Sequence, residues 1–374
     1  MNVTILHGYS ASNSGDGLLV DLAIALVQRN FGEDTAINVV ASDPQSFAYL
    51  PHPRFDAPVM AAKGLGRVKQ AVFLNQSYAG LADLLRKTDL IVGVGGGYMR
   101  SKSAFEHIKL KLGHAKQLET AILSKVPSVY LPQSIGPFHG ESRKIVEHYA
   151  SADAVFVRDN RSSAMFDACE NVYRAPDLAV QSLASKILQQ PKFTRCAASP
   201  ATVCVVLRKP PEWSKEKKVA YVANLKLLLQ RLKNKSKVVC AVQSAVRGND
   251  DGAFYRELGI TEDLLSLKAT ITKYQPDLVI SVRLHGAIES LLSGVPAYHI
   301  SYERKGFGAY QDMGVEDWVI NGGDINVDTI IDTVYAPNAL SNFGKRLTDT
   351  CREIEAKTVA MDEIIKGVVR RYSG

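Results

Sequence analysis

Cysteine is scarce in this sequence. The five that occur, Cys169, Cys196, Cys204, Cys240 and Cys351, are scattered, odd in number and never in a CxxC spacing. That excludes a disulfide framework and a thiolate zinc site, and places Cys204 and Cys240, inside apolar strand-like runs, as small hydrophobes of a reducing compartment. Long apolar runs are missing too: Leu90 to Val94 and Ser128 to Leu131 are typical, far short of the roughly 20 residues of a membrane span. No charged and apolar leader precedes the strand-like Val3-Thr4-Ile5-Leu6, so export through a signal peptide is not expected and a cytoplasmic location is. No His/Asp/Glu cluster has ligand spacing, so no metal is expected. Aromatic–basic interleaving and RNA-type motifs are absent, which argues against a nucleic-acid partner although Lys+Arg exceed Asp+Glu by 45 to 38, a formal charge of +7. No repeat with a period of tens of residues is visible.

What is present is ordinary globular composition, 46% hydrophobic and 22% charged, over 374 residues. That length exceeds one ordinary core and predicts two domains. Short apolar runs alternate with longer amphipathic stretches, the pattern of βα units around parallel sheets. The first half predicts strands near 2–7, 36–41, 89–94, 127–132, 153–157 and 172–175, with helices near 16–30, 78–87, 106–124, 140–150 and 160–168. The pattern loosens over 181–200, which reads as a linker. A second series follows, with strands near 202–207, 237–242, 277–282, 295–300 and an edge strand at 317–320, and helices near 214–234, 262–274 and 284–293. The tail from 338 to 371 carries apolar residues at helical spacing and reads as one or two helices. The expectation is an α/β chain with two doubly wound, Rossmann-like domains facing a cleft, a GT-B-like architecture. The domains span 1–185 and 196–336, and helices of 337–374 are able to cross back onto the first.

In such sheets ligands sit beyond the carboxyl ends of the strands, so the loops after each strand are where chemistry should be sought. After the first strand come Asn13, Gly15 and Asp16 ahead of an apolar helix. The glycines admit a ligand and the helix start attracts an anion, while Asp16 also reads as an ordinary N-cap. Gly95-Gly96-Gly97 ends the third strand, too short a motif for a dinucleotide fingerprint. Gln133-Ser134-Ile135-Gly136-Pro137 offers donors and acceptors for hydroxyl or phosphate oxygens. Arg158 can fork onto a carboxylate or phosphate, and Asp177 is placed to orient it.

In the second half the run 277–282 breaks into Arg283-Leu284-His285-Gly286, a cation and an imidazole where a strand ends and a helix starts. If the strand continued, Arg283 and His285 would share a face and Leu284 would point into the core. Tyr302, Glu303, Arg304 and Lys305 follow the next strand; Lys305 suits phosphate, and Glu303 could hold it or a sugar hydroxyl. Arg208 and Gln243-Ser244 are secondary candidates, and Asp250 and Asp251 read as turn and cap residues.

Taken in order, Asn13-x-Gly15-Asp16, Gly95-Gly96-Gly97, Gln133-Ser134-Ile135-Gly136-Pro137, Arg158-Asp159, Pro176-Asp177, Arg283-Leu284-His285-Gly286 and Tyr302-x-x-Lys305 resemble the polysaccharide pyruvyl transferase family, from about residue 5 to about residue 320. The resemblance implies transfer of a pyruvyl group from phosphoenolpyruvate, as donor substrate and with no cofactor, onto a sugar as a ketal. The saccharide acceptor is free or lipid-linked at the cytoplasmic membrane face, which would make the enzyme cytoplasmic or peripheral to that face. It implies His285 and Arg283 as catalytic and Arg158, Arg283, Lys305, Gln133 and Ser134 as donor-binding. Phosphoenolpyruvate carries two anionic groups, which Arg158, Arg283 and Lys305 could meet, and His285 is the candidate general acid. The rival readings are a nucleotide-sugar glycosyltransferase of the same fold, for which Glu289 is an awkward ribose ligand, and a sugar-binding scaffold without activity.

Overall fold

The computed structural model describes residues 1–58, 78–189, 193, 199–243, 245–246, 249–260 and 264–372. The chain divides into two compact units: Met1–Ala179 together with Lys357–Gly374, and Val180–Ala356.

The first unit is built on β1 (Asn2–Gly8), α1 (Ser14–Phe31), β2 (Ala36–Ala41), β3 (Arg54–Asp56), a helical segment α2 over 78–85, β4 (Leu90–Gly93), α3 (Ala104–Leu112), α4 (His114–Leu123), β5 (Ser128–Gln133), α5 (Arg143–Ala150), β6 (Ala154–Val157), α6 (Asn160–Ser163) and β7 (Val172–Arg174). Its seven strands run in the order β3-β2-β1-β4-β5-β6-β7, and every pairing is parallel. The central strands are unbroken apolar runs because helices cover both of their faces: all of Leu90–Gly93 and Ala154–Val157 is buried. Val3, Ile5, Val92, Val129 and Leu131 pack with α1 on one side, while Tyr130, Val155, Val157 and Tyr149 pack with the α3–α5 side on the other.

Two bulges break this alternation at the carboxyl edge. His7 adopts a left-handed backbone, φ 67°, where the β1–β2 register slips, and β5 slips against β6 between Tyr130 and Gln133. A β-bulge re-aims the side chains beyond it. His7 therefore leaves the Ile5 side and stacks on Tyr98, with centroids 4.8 Å apart. Gln133 leaves the Leu131 side and accepts from the Tyr149 hydroxyl at 3.0 Å.

Helix α7 (Leu178–Gln189) starts at the end of the first unit and continues into the second, which contains β8 (Thr202–Val206), α8 (Lys215–Lys233), β9 (Lys237–Val242), the short hairpin β10 (Ala245–Val246) and β11 (Asn249–Asp250), α9 (Asp251–Glu257), β12 (Leu265–Ser266), α10 (Leu267–Tyr274), β13 (Leu278–Ser281), α11 (Leu284–Leu292), β14 (Ala297–Ser301), α12 (Arg304–Asp312), β15 (Val319–Asn321) and α13 (Val327–Val334). Its six-stranded sheet has the order β12-β9-β8-β13-β14-β15, again parallel throughout.

The last helix, α14 (Ala339–Tyr372), is one uninterrupted element shared by both units. Met361, Ile365 and Val368 complete the α1-side core of the first unit, and Arg29 holds Asp362 through two bonds of 3.0 Å. Among the described residues no helix is long and apolar enough to cross a membrane.

The differences from the sequence reading have local causes. The first part of the stretch read as a linker, 181–189, is helix α7, whose first turn is started by the Asp177 carboxylate accepting from the Ala179 N–H; residues 190–192 and 194–198 lie outside the described residues. The helix expected over 106–124 is two helices, because Gly113 closes α3 and opens α4. The edge strand begins at Val319, after a single tight turn over Glu316–Trp318. Strand β3, with all three residues exposed, lacks the apolar signature by which strands are read.

Candidate active site

A doubly wound sheet opens a crevice at the carboxyl ends of the two strands where its order reverses. In the first unit that point lies between β1 and β4, and in the second between β8 and β13. The segments leaving these four strands hold Asn13, Gly15, Asp16, Gly95, Gly96, Gly97, Arg208, Arg283 and His285, while Gln133, Ser134, Arg158 and Asp177 stand at the ends of β5, β6 and β7, and Tyr302, Glu303 and Lys305 follow β14.

In the first unit, Asn13 is the residue that precedes α1, and its amide donates to Asp16 at 2.6 Å. Asp16 thus sits inside the first turn, where a carboxylate favours the positive end of the helix, instead of capping it. Gly15 is buried beside it. The three glycines after β4 are needed for close packing: a Cβ on Gly95 would lie 2.6 Å from the Pro132 carbonyl oxygen, and Gly96 has φ 138°. Gly97 lies over the Arg158 guanidinium.

Arg158 is only 6% exposed. Its Nη1 donates to Asp177 and its Nε to the Ser134 hydroxyl at 3.1 Å. Ser134 in turn donates to Asp159 at 2.6 Å, and Asp159 caps α6 through the Ser162 N–H. Ser134, Arg158, Asp159 and Asp177 therefore form one buried network that ties the ends of β5 and β6 to α6 and the start of α7, and Gln133 joins it through its carbonyl, which accepts from the Arg158 N–H at 3.1 Å. Ser134 and two nitrogens of Arg158 are committed inward. Beside this network His7 and His114 share an Nδ1···Nδ1 hydrogen bond of 3.2 Å. Burial, with the neighbouring imidazole, holds His7 well below the usual histidine range, and burial alone pushes His114 down to about 4.

In the second unit three adjacent strands, β8, β13 and β14, deliver the chemistry. Ser281 pairs with Val206 on one side and His299 on the other, so the residues following these strands emerge side by side at the strand spacing of roughly 4.8 Å. The strand does not continue through Arg283. The Ser281 hydroxyl donates to the Arg283 carbonyl at 2.8 Å and accepts from its N–H at 3.1 Å, turning the chain directly into α11. Leu284 and His285 are consequently first-turn helix residues, Leu284 buried and His285 half-buried, and the shared-face geometry expected of a strand does not apply. First-turn N–H groups have no acceptor within their own helix and favour an anion. Ser301 repeats the device at the end of β14, donating to the Glu303 carbonyl at 2.7 Å, and α12 begins at Arg304.

Arg283 is gripped side-on by Asp251: its Nε lies 3.0 Å and its Nη2 2.6 Å from the carboxylate oxygens. Asp251 is 1% exposed and also accepts from the Gln243 N–H. It was readable only as a turn residue, because its partner lies 32 positions away. Gly286 allows this packing, since a Cβ there would meet Gln243 Oε1 at 2.6 Å and Ser281 Oγ at 2.9 Å. Lys305 lies 3.3 Å from Glu303. The Arg208 guanidinium covers the Tyr302 ring and its Nη1 donates to the Tyr302 hydroxyl. The Tyr221 hydroxyl, which donates to the Arg208 carbonyl, is pushed up by burial and by Tyr302, against the opposing pull of Arg208 and Arg283. Ser244, a secondary candidate from the sequence, lies outside the described residues. Among those residues no group of three or more His, Cys, Asp or Glu could hold a metal.

His299, missed in the sequence because it lies within a buried strand, sits beneath α12. Its Nδ1–H donates to the Ser281 carbonyl at 2.8 Å. Burial first, and Lys305 to a smaller extent, push it down to about 4, although the bond to Ser281 and Glu303 act the other way. His114 and His299 are thus neutral when folded but protonate near 6.5 when unfolded. Their contribution is intact above pH ~6.5 and is lost as pH falls toward 4, each removing about 1.4 kcal/mol per pH unit across that window. Melting temperature should therefore hold steady above pH ~7 and drop below ~6. His299→Asn, which keeps a donor near the Nδ1 position, should flatten the profile; an unchanged slope would show that His299 does not titrate in this way.

The crevice-forming parallel sheets define a GT-B-like fold. Solved structures with that architecture are similar along nearly their whole length. A trehalose-phosphate synthase (UDP-forming) from Burkholderia vietnamiensis matches with a TM-score of 0.55 and 12% identity, covering 100% of this chain and 98% of its own. A UDP-N-acetylglucosamine 2-epimerase from Methanocaldococcus jannaschii matches with a TM-score of 0.50 and 9% identity, over 95% and 99%. A similar protein from Listeria monocytogenes, described as a UDP-N-acetylglucosamine 2-epimerase, gives 0.50 and 8%, over 94% and 90%. At such identities the likeness is one of fold. No curated protein matches the sequence significantly. The polysaccharide pyruvyl transferase family model matches residues 13–304. The chain belongs to the polysaccharide pyruvyl transferase family, and is accordingly a transferase acting on polysaccharide.

Proposed function

We propose that this protein moves the pyruvyl group of phosphoenolpyruvate onto a pair of sugar hydroxyls, forming a pyruvate ketal and releasing phosphate. The observation that carries the reading is the arrangement at β13 and β14: Arg283 fixed by Asp251, His285 in the uncapped first turn of α11, and Lys305 in the first turn of α12. Phosphoenolpyruvate brings a carboxylate and a phosphate, and two cations with two open helix starts suit two anionic groups. No cofactor is required by the chemistry. A proton adds to the methylene carbon, one hydroxyl oxygen attacks the resulting oxocarbenium-like centre, the C–O bond to phosphate breaks, and the second hydroxyl closes the ring. The two hydroxyl protons balance the one gained by the methyl group and the one carried off by phosphate. His285 is the proposed acid, delivering a proton to the methylene carbon or the departing phosphate. The acceptor is a saccharide, free or lipid-linked, met at the cytoplasmic side of the membrane.

Phosphate release from phosphoenolpyruvate, followed across a panel of free and lipid-linked saccharides, tests the reading. Acceptor-dependent release is expected, and His285→Ala should lower kcat by about 10²–10⁴-fold at saturating donor and acceptor. Near-normal turnover by that variant would remove His285 from the chemistry. Turnover of UDP- or GDP-sugars, without phosphate release from phosphoenolpyruvate, would overturn the pyruvyl assignment.

A further inference from the structure

The cations at the carboxyl edge of the second unit are not equivalent. Arg283 spends its Nε/Nη2 edge on the buried carboxylate of Asp251, and Lys305 lies beside Glu303. Arg208 is different. It leaves the end of β8, one of the two strands that flank the reversal of strand order, and its contacts are with the neutral Tyr302, to ring and hydroxyl. Among the described residues it has no carboxylate partner. Only Nη1 is used. The Nε–H is buried and has no hydrogen-bond partner in the protein, and Nη2 lies on the same edge of the guanidinium. That edge is the one Arg283 uses to grip Asp251 side-on. In Arg208 the matching fork is presented without an acceptor, its plane fixed by the Tyr302 ring.

We propose that the Nε/Nη2 edge of Arg208 is the seat of a phosphoryl group, with Arg208 as the residue that binds the phosphate of the donor. This deepens the pyruvyl-transfer reading and rests on it for the identity of the donor. The physical grounds do not depend on that identity. A buried N–H without a partner costs free energy that an oxyanion recovers, and a planar fork matches two phosphoryl oxygens. Arg208 also keeps its positive charge uncompensated among the described residues, whereas Asp251 offsets that of Arg283. The division of labour follows: Arg208 meets the more highly charged end of the ligand, leaving the first turn of α11 and Arg283 for the carboxylate. The same fork would equally take the phosphoryl group of a nucleoside diphosphate, so the two sources must be separated by experiment.

Binding to wild type, Arg208→Gln and Arg208→Lys is measured by calorimetry with inorganic phosphate, phosphoenolpyruvate and UDP as separate probes. The expected result is phosphoenolpyruvate binding to wild type, a loss of about thirtyfold in R208Q and a smaller loss of about tenfold in R208K, which keeps the charge but not the fork. Inorganic phosphate should weaken in parallel. Unliganded melting temperatures report whether each variant is folded, and R208K carries the comparison if R208Q is not. Wild-type affinity for all probes in both variants overturns the seat, as does failure of wild type to bind any of the three. If wild type binds UDP or phosphate but not phosphoenolpyruvate, and R208Q loses that binding, the seat stands and the pyruvyl-donor reading falls.

Discussion

Replacing Arg283 with lysine should lower kcat/KM by about a hundredfold while leaving the protein folded. The separation of the two effects comes from how Asp251 holds the guanidinium. Two nitrogens on one edge meet the carboxylate, at 3.0 and 2.6 Å, so the plane of Arg283 and the direction of its remaining N–H groups are set before substrate arrives. A lysine ammonium still neutralises Asp251, which avoids leaving a carboxylate that is 1% exposed without a cation. It cannot copy the fork, and its donors rotate about a flexible stem. Arg283→Ala should behave differently, because the orphaned Asp251 adds a destabilisation of about 3–5 kcal/mol to the loss of activity. Steady-state kinetics and thermal melts on both variants check the pair of outcomes. An R283K enzyme with wild-type kcat/KM would mean that the orientation imposed by Asp251 serves the fold and not the reaction.

Gly306→Ala should cost about 2–3 kcal/mol of stability in the second unit and raise the KM for the donor. A Cβ at this position would come within 2.3 Å of Ser301 Oγ and 2.5 Å of His299 Nε2. Neither atom can step aside cheaply. Ser301 is committed to the Glu303 carbonyl that starts α12, and the His299 ring is buried and bonded to the Ser281 carbonyl. The first turn of α12 must then lift, carrying Lys305 with it. Circular dichroism melts and donor KM values measured on the same preparation would test this. A stable G306A protein with unaltered KM would show that Lys305 does not depend on this packing.

How much of this could be read from the sequence depended on range. The parallel strands were legible because each is a short apolar run between helices, and the rule that ligands gather at strand carboxyl ends pointed to the loops holding Arg158, Arg283 and Lys305. Features set by partners distant in sequence were not legible. Asp251 looks like a turn residue until Arg283 is seen beside it. His7 looks like a strand residue, and Gln133 like a loop group free for a ligand, until the bulges turn them onto Tyr98 and Tyr149. The pairing of Arg158 with Asp177 was legible and is present, but the Ser134 hydroxyl that takes a second nitrogen of Arg158 appears only once the ends of β5 and β6 are brought together. The turn at Ser281 was hidden for another reason: a serine that bonds its own backbone two residues on leaves no periodic trace.

Helix α14 also has a consequence for the order in which the protein becomes complete. Met361, Ile365 and Val368 belong to the core around β1 and α1, yet they are synthesised after the whole of Val180–Ala356. The half of the molecule that begins first on the ribosome therefore cannot close its core first. Its α1 side waits with apolar surface uncovered while the intervening unit, continuous in sequence, can finish folding. Such a nascent chain is most exposed to aggregation before residues 357–372 emerge.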